Sequence, residues 1–200
     1  MSNPLTPMTK LDAVNIALSS MGEPVINTLD GASVDAQMAA DLVDETSRSI
    51  QSQGWQWNRE RHVLSPNVNN QIVLPANTAR VDTVETDRPT DVIQRGGKLF
   101  DRANNTYTFD KTLILEIYVI LPFEDLPLAA KNAIAYKAAM ILQQRLLGSE
   151  TLYKFAQAEA QRAWLTLLQE EAEVGDHNML YDSWQTSSIL NRSSFARGGY

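Results

Sequence analysis

Cysteine is absent from the chain's 200 residues. Disulfides, thiol nucleophiles and cysteine-ligated zinc are thereby excluded, and a reducing compartment suits the chain. Histidine is scarce: His62 and His177 stand far apart in sequence and belong to no H-x-x-x-H or similar ligand set, so no metal site is expected. The G-x-S-x-G elbow, the G-x-x-x-x-G-K-[ST] loop and the G-x-G-x-x-G turn are all missing. Gly96-Gly97 falls between two strand candidates and not at a helix start, which argues against a phosphate cradle. No catalytic residue and no cofactor are expected. Long apolar runs are lacking too. The longest, Leu113 to Leu121, is interrupted by Glu116 and could cross a bilayer only as one strand of a closed barrel. The other strand candidates are too polar for that, so no stable membrane insertion is expected. Met1-Ser2-Asn3-Pro4 has neither a basic nor an apolar signal region, and no signal peptide is expected.

What is present is ordinary in amount and informative in distribution. Hydrophobic residues make up 44% and charged residues 20%, as in a soluble globular chain. The net charge of −7 is uneven. Residues 1–54 carry −5, 55–121 are neutral, 122–176 carry −3 and 177–200 carry +1. An acidic surface of this kind argues against tight, counterion-releasing DNA binding, which needs clustered Lys and Arg.

The period of the apolar residues changes twice. Residues 9–54 read as helix, 55–121 as short strands and 125–174 as helix again. Thr9, with Asp12 three residues on, predicts a capping box for a helix over Lys10 to Met21, ended by Gly22 and Pro24. Ser33 caps a second helix from Val34 to Gln53, with Val34, Met38, Leu42, Thr46 and Ile50 on one face and Gly54 as its stop. Trp55-Gln56-Trp57-Asn58 reads as the first strand, both indoles on one side. Val63-Leu64, Ile72-Val73-Leu74, Val81 to Val84 and Val92-Ile93 are further strand candidates. Gly96-Gly97 predicts a tight hairpin before Leu99-Phe100, and Asn104-Asn105 a turn before Tyr107 and Phe109. Leu113 to Leu121 is apolar on both faces and reads as a strand buried on both sides. Pro127 sits at an early position of a third helix, rich in alanine, that stops at Gly148. Ser149 caps a fourth, ending near Gly175, with Leu152, Phe155, Ala156, Ala160, Ala163, Leu167 and Leu168 on a broad apolar face.

The expected fold is α+β: a discontinuous four-helix bundle with an inserted small antiparallel β-domain and an extended C-terminal arm. Residues 1–54 plus 122–176 would form the bundle, 55–121 the β-domain and 177–200 the arm. The arm sets Trp184, Ile189, Leu190, Phe195 and Tyr200 among polar residues, with Arg192 and Arg197 as its cations. One reading is a frayed terminus. The other is a segment that docks on a partner through these seven residues, since spaced aromatics in a polar arm make good anchors.

Carboxylates offer the remaining chemistry. Glu170, Glu171 and Glu173, or Asp41, Asp44 and Glu45, could supply the acid/base pair of a glycosidase, and Trp55, Trp57, Tyr107 and Tyr118 could line a sugar site. Solvated helix faces and core aromatics account for the same residues.

An ordered series of strings adds a further expectation. They are Gly22-Glu23-Pro24-Val25, Asn27-Thr28-Leu29-Asp30-Gly31, Gln51-Ser52-Gln53-Gly54-Trp55-Gln56-Trp57-Asn58, the run from Asp91 through Arg95-Gly96-Gly97-Lys98 to Arg102, the run from Leu121 to Pro127, the run from Gln143 to Glu150, and Asn178-Met179-Leu180. With these the chain resembles the tail tubular protein A family, head-to-tail adaptors of short-tailed double-stranded DNA phages. The resemblance implies a structural virion protein of the tail, made in the host cytoplasm and without enzymatic activity. It implies a ring of about twelve copies that joins the portal protein to the tail nozzle protein and helps seat the tail fibres. DNA would pass through the lumen without specific binding, repelled by acidic walls. The arm would then dock on the portal ring. The alternative is a carbohydrate-active hydrolase of the phage tail acting on envelope polysaccharide. Carboxylates paired across one groove would favour it, and carboxylates scattered over helix surfaces the adaptor.

Overall fold

Thr9 opens the first helix through the capping box its spacing to Asp12 predicts. Thr9 Oγ1 accepts from the Asp12 N–H (3.2 Å), and the Asp12 carboxylate accepts from the Thr9 N–H (2.9 Å). In the computed structural model, which describes residues 7–84, 87 and 90–182 and side chains as far as Val174, this helix, α1, spans Lys10–Ser20. Helix α2 spans Val34–Gln51, and its N-cap Ser33 accepts the Ala36 N–H (3.3 Å). Gly54 comes next at φ +84°. A Cβ there would meet the Tyr118 ring at 2.9 Å, so glycine is required by conformation and by space alike.

Trp55 to Asn58 do not form a strand. Gln56–Asn58 is a single 3₁₀ turn, and the first strand, β1, is Arg59–Leu64. The Asn58 side chain decides this: its Oδ1 accepts the Trp55 N–H (2.8 Å), closing the turn locally where a strand would need a ladder partner. The two indoles nevertheless lie on one side, stacked at 6.2 Å. Strand β2 is Thr78–Thr83, β3 Val92–Arg95, β4 Lys98–Asp101 and β5 Leu113–Val119. The β3–β4 hairpin turns at Gly96-Gly97, both at positive φ, with Arg95 opposite Lys98. Ile72-Val73-Leu74 and Tyr107 to Phe109 fall short of strands and contribute isolated bridges, Val73 to Lys98 and Gln71 to Thr108. β5 is the centre of a three-stranded antiparallel sheet in the order β1-β5-β2. Leu113, Leu115, Ile117 and Val119 are buried on one of its faces. On the other, Tyr118 is buried while Ile114 and Glu116 are half-buried.

After a 3₁₀ turn at Phe123–Asp125, Pro127 is the N-cap residue of α3, Leu128–Leu146. Gly148 at φ +60° separates it from α4, Glu150–Asp182. That last helix does not end near Gly175 but continues for about two turns. One glycine in a helix interior costs only about 1 kcal/mol relative to alanine, too little to stop a long helix.

The architecture is α+β. α1, α2 and α3 pack against one another, and α4 lies along α3 and reaches the turn at Gln56–Asn58. One buried cluster joins residues from both ends of the sequence, among them Val14, Leu18, Leu42, Ile50, Trp55, Ile134, Leu142 and Leu167. A second, formed by Ile72, Leu99, Leu113, Leu115 and Ile117 with their neighbours, fills the β-region. Trp55, at the start of the expected β-domain, belongs to the helical cluster. Leu121 packs against both.

Candidate functional site

Four of the six carboxylates raised as an acid/base pair have structural partners, while Asp41 is exposed and Glu170 lies exposed beside Glu171. Asp44 pairs with Lys10 of α1 at 2.8 Å, and Glu45 lies 3.8 Å from Arg145 of α3. Glu171 accepts the Gln56 backbone N–H at 2.6 Å, tying α4 to the turn after α2. Glu173 accepts from Gln169 within its own helix. The aromatic set is dispersed as well. Trp55 is buried in the helical core and meets Trp164 edge-on at 5.5 Å. Tyr107 packs on Phe100 in the β-region, and Tyr118 stacks beneath Arg80 and against Gly54. Among the described residues no group of three His, Asp or Glu side chains is placed to hold a metal, and no helix is long and apolar enough to cross a membrane.

Two buried amides clasp the points where the chain leaves and re-enters the helical core. Gln51, at the end of α2, accepts the Leu121 N–H through Oε1 (2.8 Å) and donates from Nε2 to the Leu121 carbonyl (3.1 Å). Asn58 Nδ2 donates to the carbonyls of Gln51 (2.9 Å) and Val119 (3.0 Å). Both side chains are fully buried. An amide suits this place because it offers donor and acceptor together to a backbone that has lost its ladder. Sequence reading reached these residues only as members of the Gln51-to-Asn58 string. Trp164, which completes the aromatic cluster, was missed, because nothing local marks a helix tryptophan as the partner of one more than a hundred residues away.

In the β-region Asp87 and Asp101 are buried carboxylates held below the usual range. For Asp87 the causes are, first, the hydrogen bond from Lys111 Nζ (2.6 Å) and then that from the Ile114 N–H (2.9 Å). For Asp101 they are the backbone N–H (2.9 Å) and then the side-chain amide (2.8 Å) of Asn104. Burial opposes both shifts and is outweighed. The Tyr118 hydroxyl is pushed up, chiefly by burial and then by its hydrogen bond to Glu116. All three arrangements fix loops and strand ends.

The surface of α4 differs from a solvated helix face. Ala156, Ala160, Ala163 and Leu167 are its buried stripe against α3. The rest of the broad apolar face predicted for it is uncovered: Phe155 is 68% exposed, with Leu152 and Leu168 also in water, and Leu165 (63%) and Val174 (52%), which that prediction did not include, are uncovered too. Leu146 and Leu147, at the end of α3, are exposed as well. A largely apolar groove of about 450 Å³ runs between α3 and α4 beside Met140, Tyr153, Trp164 and Leu165, with Lys137 Nζ 5.9 Å from the Trp164 ring. A second cleft, of about 280 Å³, lies where Trp57 and Pro127 meet the later turns of α4. The seven residues expected to dock a partner, Trp184, Ile189, Leu190, Arg192, Phe195, Arg197 and Tyr200, lie outside the described residues.

Comparison with known proteins bears on what such surfaces serve. A family model described as tail tubular protein matches residues 11–177. Tail tubular protein A of Klebsiella phage KP34 is 29% identical over 164 residues, which cover 82% of this chain and 87% of that protein. The family match runs through the helices of both ends and the strands between them. This chain therefore belongs to the tail tubular protein family and is a structural component of the phage tail.

Proposed function

We propose that the protein is a head-to-tail adaptor, a ring of about twelve copies that joins the portal to the tail nozzle. The observation that carries this reading is the uncovered apolar face of α4 and the end of α3. Each large apolar side chain left in water forgoes about 1.5–3 kcal/mol of burial. Phe155, Leu165 and the other exposed apolar residues of α4 make sense if neighbours cover them. Residues 1–54 and 122–176 supply the side-by-side packing body, 55–121 the projecting unit that meets nozzle and tail fibres, and residues beyond Asp182 the arm that docks on the portal. DNA passes through the lumen without being gripped, because net negative charge repels phosphate.

The role has no enzymatic step of its own. Support comes from the ion pairs that occupy Asp44 and Glu45 and from the backbone contact that occupies Glu171. The test is the particle mass of the protein alone and with portal rings. A ring-sized addition to each portal is expected. A protein that remains unbound with portals present at micromolar concentration would refute the adaptor. Polysaccharide release by purified protein, abolished by one carboxylate-to-amide change, would refute the absence of catalysis.

A further inference from the structure

The smaller cleft has a lining with two distinct demands. Trp57, Pro127, Leu167 and Val174 give it apolar walls, and Glu170 and Glu171 bring carboxylates to the same space. Glu171 is half-buried and Glu170 exposed. A ligand that fits must present an apolar side chain and a cation side by side.

We infer that this cleft is the docking site of the chain's own C-terminal arm, residues 183–200, held in cis before assembly. The inference rests on the reading of that segment as a docking arm. Three observations support it. The first is spacing. Leu190 and Arg192 are two residues apart, as are Phe195 and Arg197. In an extended segment residues i and i+2 project to the same side, about 7 Å apart. Each pair therefore delivers one apolar group and one guanidinium to the same face, as the lining requires. The second is charge. Residues 177–200 carry two arginines and one acid, whereas α4 brings Glu170 and Glu171 to the cleft and Glu173 close by in sequence. An arginine fork meets a carboxylate in two parallel hydrogen bonds, a role for exposed Glu170, since Glu171 Oε1 already accepts the Gln56 N–H. The larger groove between α3 and α4 is the poorer host, because Lys137 lines it. The third is reach. Asp182 lies about 16 Å along the helix from Glu171 at 1.5 Å per residue. The ten residues from Asp182 to Arg192 span up to about 33 Å when extended, so the arm can turn back to the cleft. A tether this short gives an effective concentration in the millimolar range, far above that of a second chain at micromolar concentration. Cis occupancy therefore wins until a portal or neighbour offers a tighter site.

The cysteine-free sequence makes the test direct. In the 200-residue chain, Val174→Cys combined with Ser193→Cys should oxidise to an intramolecular disulfide roughly tenfold faster than the control pair Leu165→Cys with Ser193→Cys. Glu170→Arg should slow closure several-fold without moving the melting temperature, since Glu170 is exposed. Arg192→Glu with Arg197→Glu in that background should restore it. Equal rates for the two pairs, closure indifferent to the charge changes, or disulfide-linked dimers in place of monomers would each overturn the inference. A chain ending at Asp182, offered to portals, separates this from the adaptor reading. If the cysteine pair stays open while the truncated chain fails on portals, the cleft is wrong and the docking arm stands. If the pair closes while the truncated chain assembles normally, the cleft stands and the portal role of the arm falls.

Discussion

Asn58 and Gln51 join the helical core to the sheet through five hydrogen bonds to backbone and one to Ser47, all from side chains with no exposure. Asn58→Ala leaves the Trp55 N–H and the Val119 carbonyl without these partners. At about 1–3 kcal/mol for each buried group left unsatisfied, the loss should be roughly 2–4 kcal/mol, read as a lower urea midpoint. Trp55→Ala should cost about 3–5 kcal/mol, because the cavity it leaves is walled by Trp57 and Trp164. Half-buried Trp57 should cost less on truncation, and equal losses would contradict the junction described here. Asp87 and Asp101 give a prediction in pH. Their carboxyls are lowered in the folded chain relative to the ordinary aspartate value near 3.9. The stability they contribute is therefore complete above about pH 4 and is lost as pH falls through their folded values. Asp87→Asn should lower stability at neutral pH and flatten the acid limb of the stability profile. An unchanged acid limb would show that Asp87 is not one of its sources. Of these residues the sequence marked the tryptophans, by their place between two periodicities. It could not mark Asn58 as a clasp, because its partner at Val119 is brought near only by the return of the chain along β5.

At the scale of elements, the helix starts were legible and the last stop was not. Thr9 with Asp12, Ser33, and the positive-φ glycines 22, 54 and 148 act where their spacing predicts. Those are local effects, settled within one turn of backbone. Gly175 belongs to the same residue type but lies inside α4, and whether a glycine ends a helix depends on the residues after it and on packing. The apolar face of α4 was visible as a periodicity, whereas its division into a buried alanine stripe and an uncovered Phe155–Leu165 side was not. Small residues at Ala156, Ala160 and Ala163 let α4 approach α3 closely, so a large side chain in the facing helix should not fit. Ala133→Leu, at a buried position of α3 that shares the α3–α4 groove with Ala160, should cost about 1–3 kcal/mol by overpacking. The opposite change separates stability from assembly. Phe155→Ser with Leu165→Ser, both largely exposed, should stay within about 0.5 kcal/mol of the parent in stability. The same variant should add poorly to portal rings. Normal addition would remove the uncovered face from the interface.

For the whole molecule, the decisive feature is that one buried cluster draws on both ends of the chain while a second fills the segment between them. Among the described residues, neither cluster reaches beyond Leu167. Residues 183–200 offer few apolar groups per residue to bury, so a chain ending at Asp182 should keep its melting temperature within about 2 °C, the shift expected for less than 1 kcal/mol at this size. It should also attach weakly to portals. A large loss of stability would place the arm within the core instead. Composition, charge and period by themselves determined that the chain is α+β, where its helices begin, which hairpin turns on two glycines and which strand is the most apolar. These follow from backbone sterics, capping and one-face burial, all of which act between near neighbours. Only the tertiary structure decided that Trp55 faces Trp164, that two amides clasp Leu121 and Val119, that Asp44 and Glu45 meet cations while Glu171 meets backbone, and that one side of α4 is uncovered. Periodicity states which face is apolar. The partner of that face is set by residues far away in the chain.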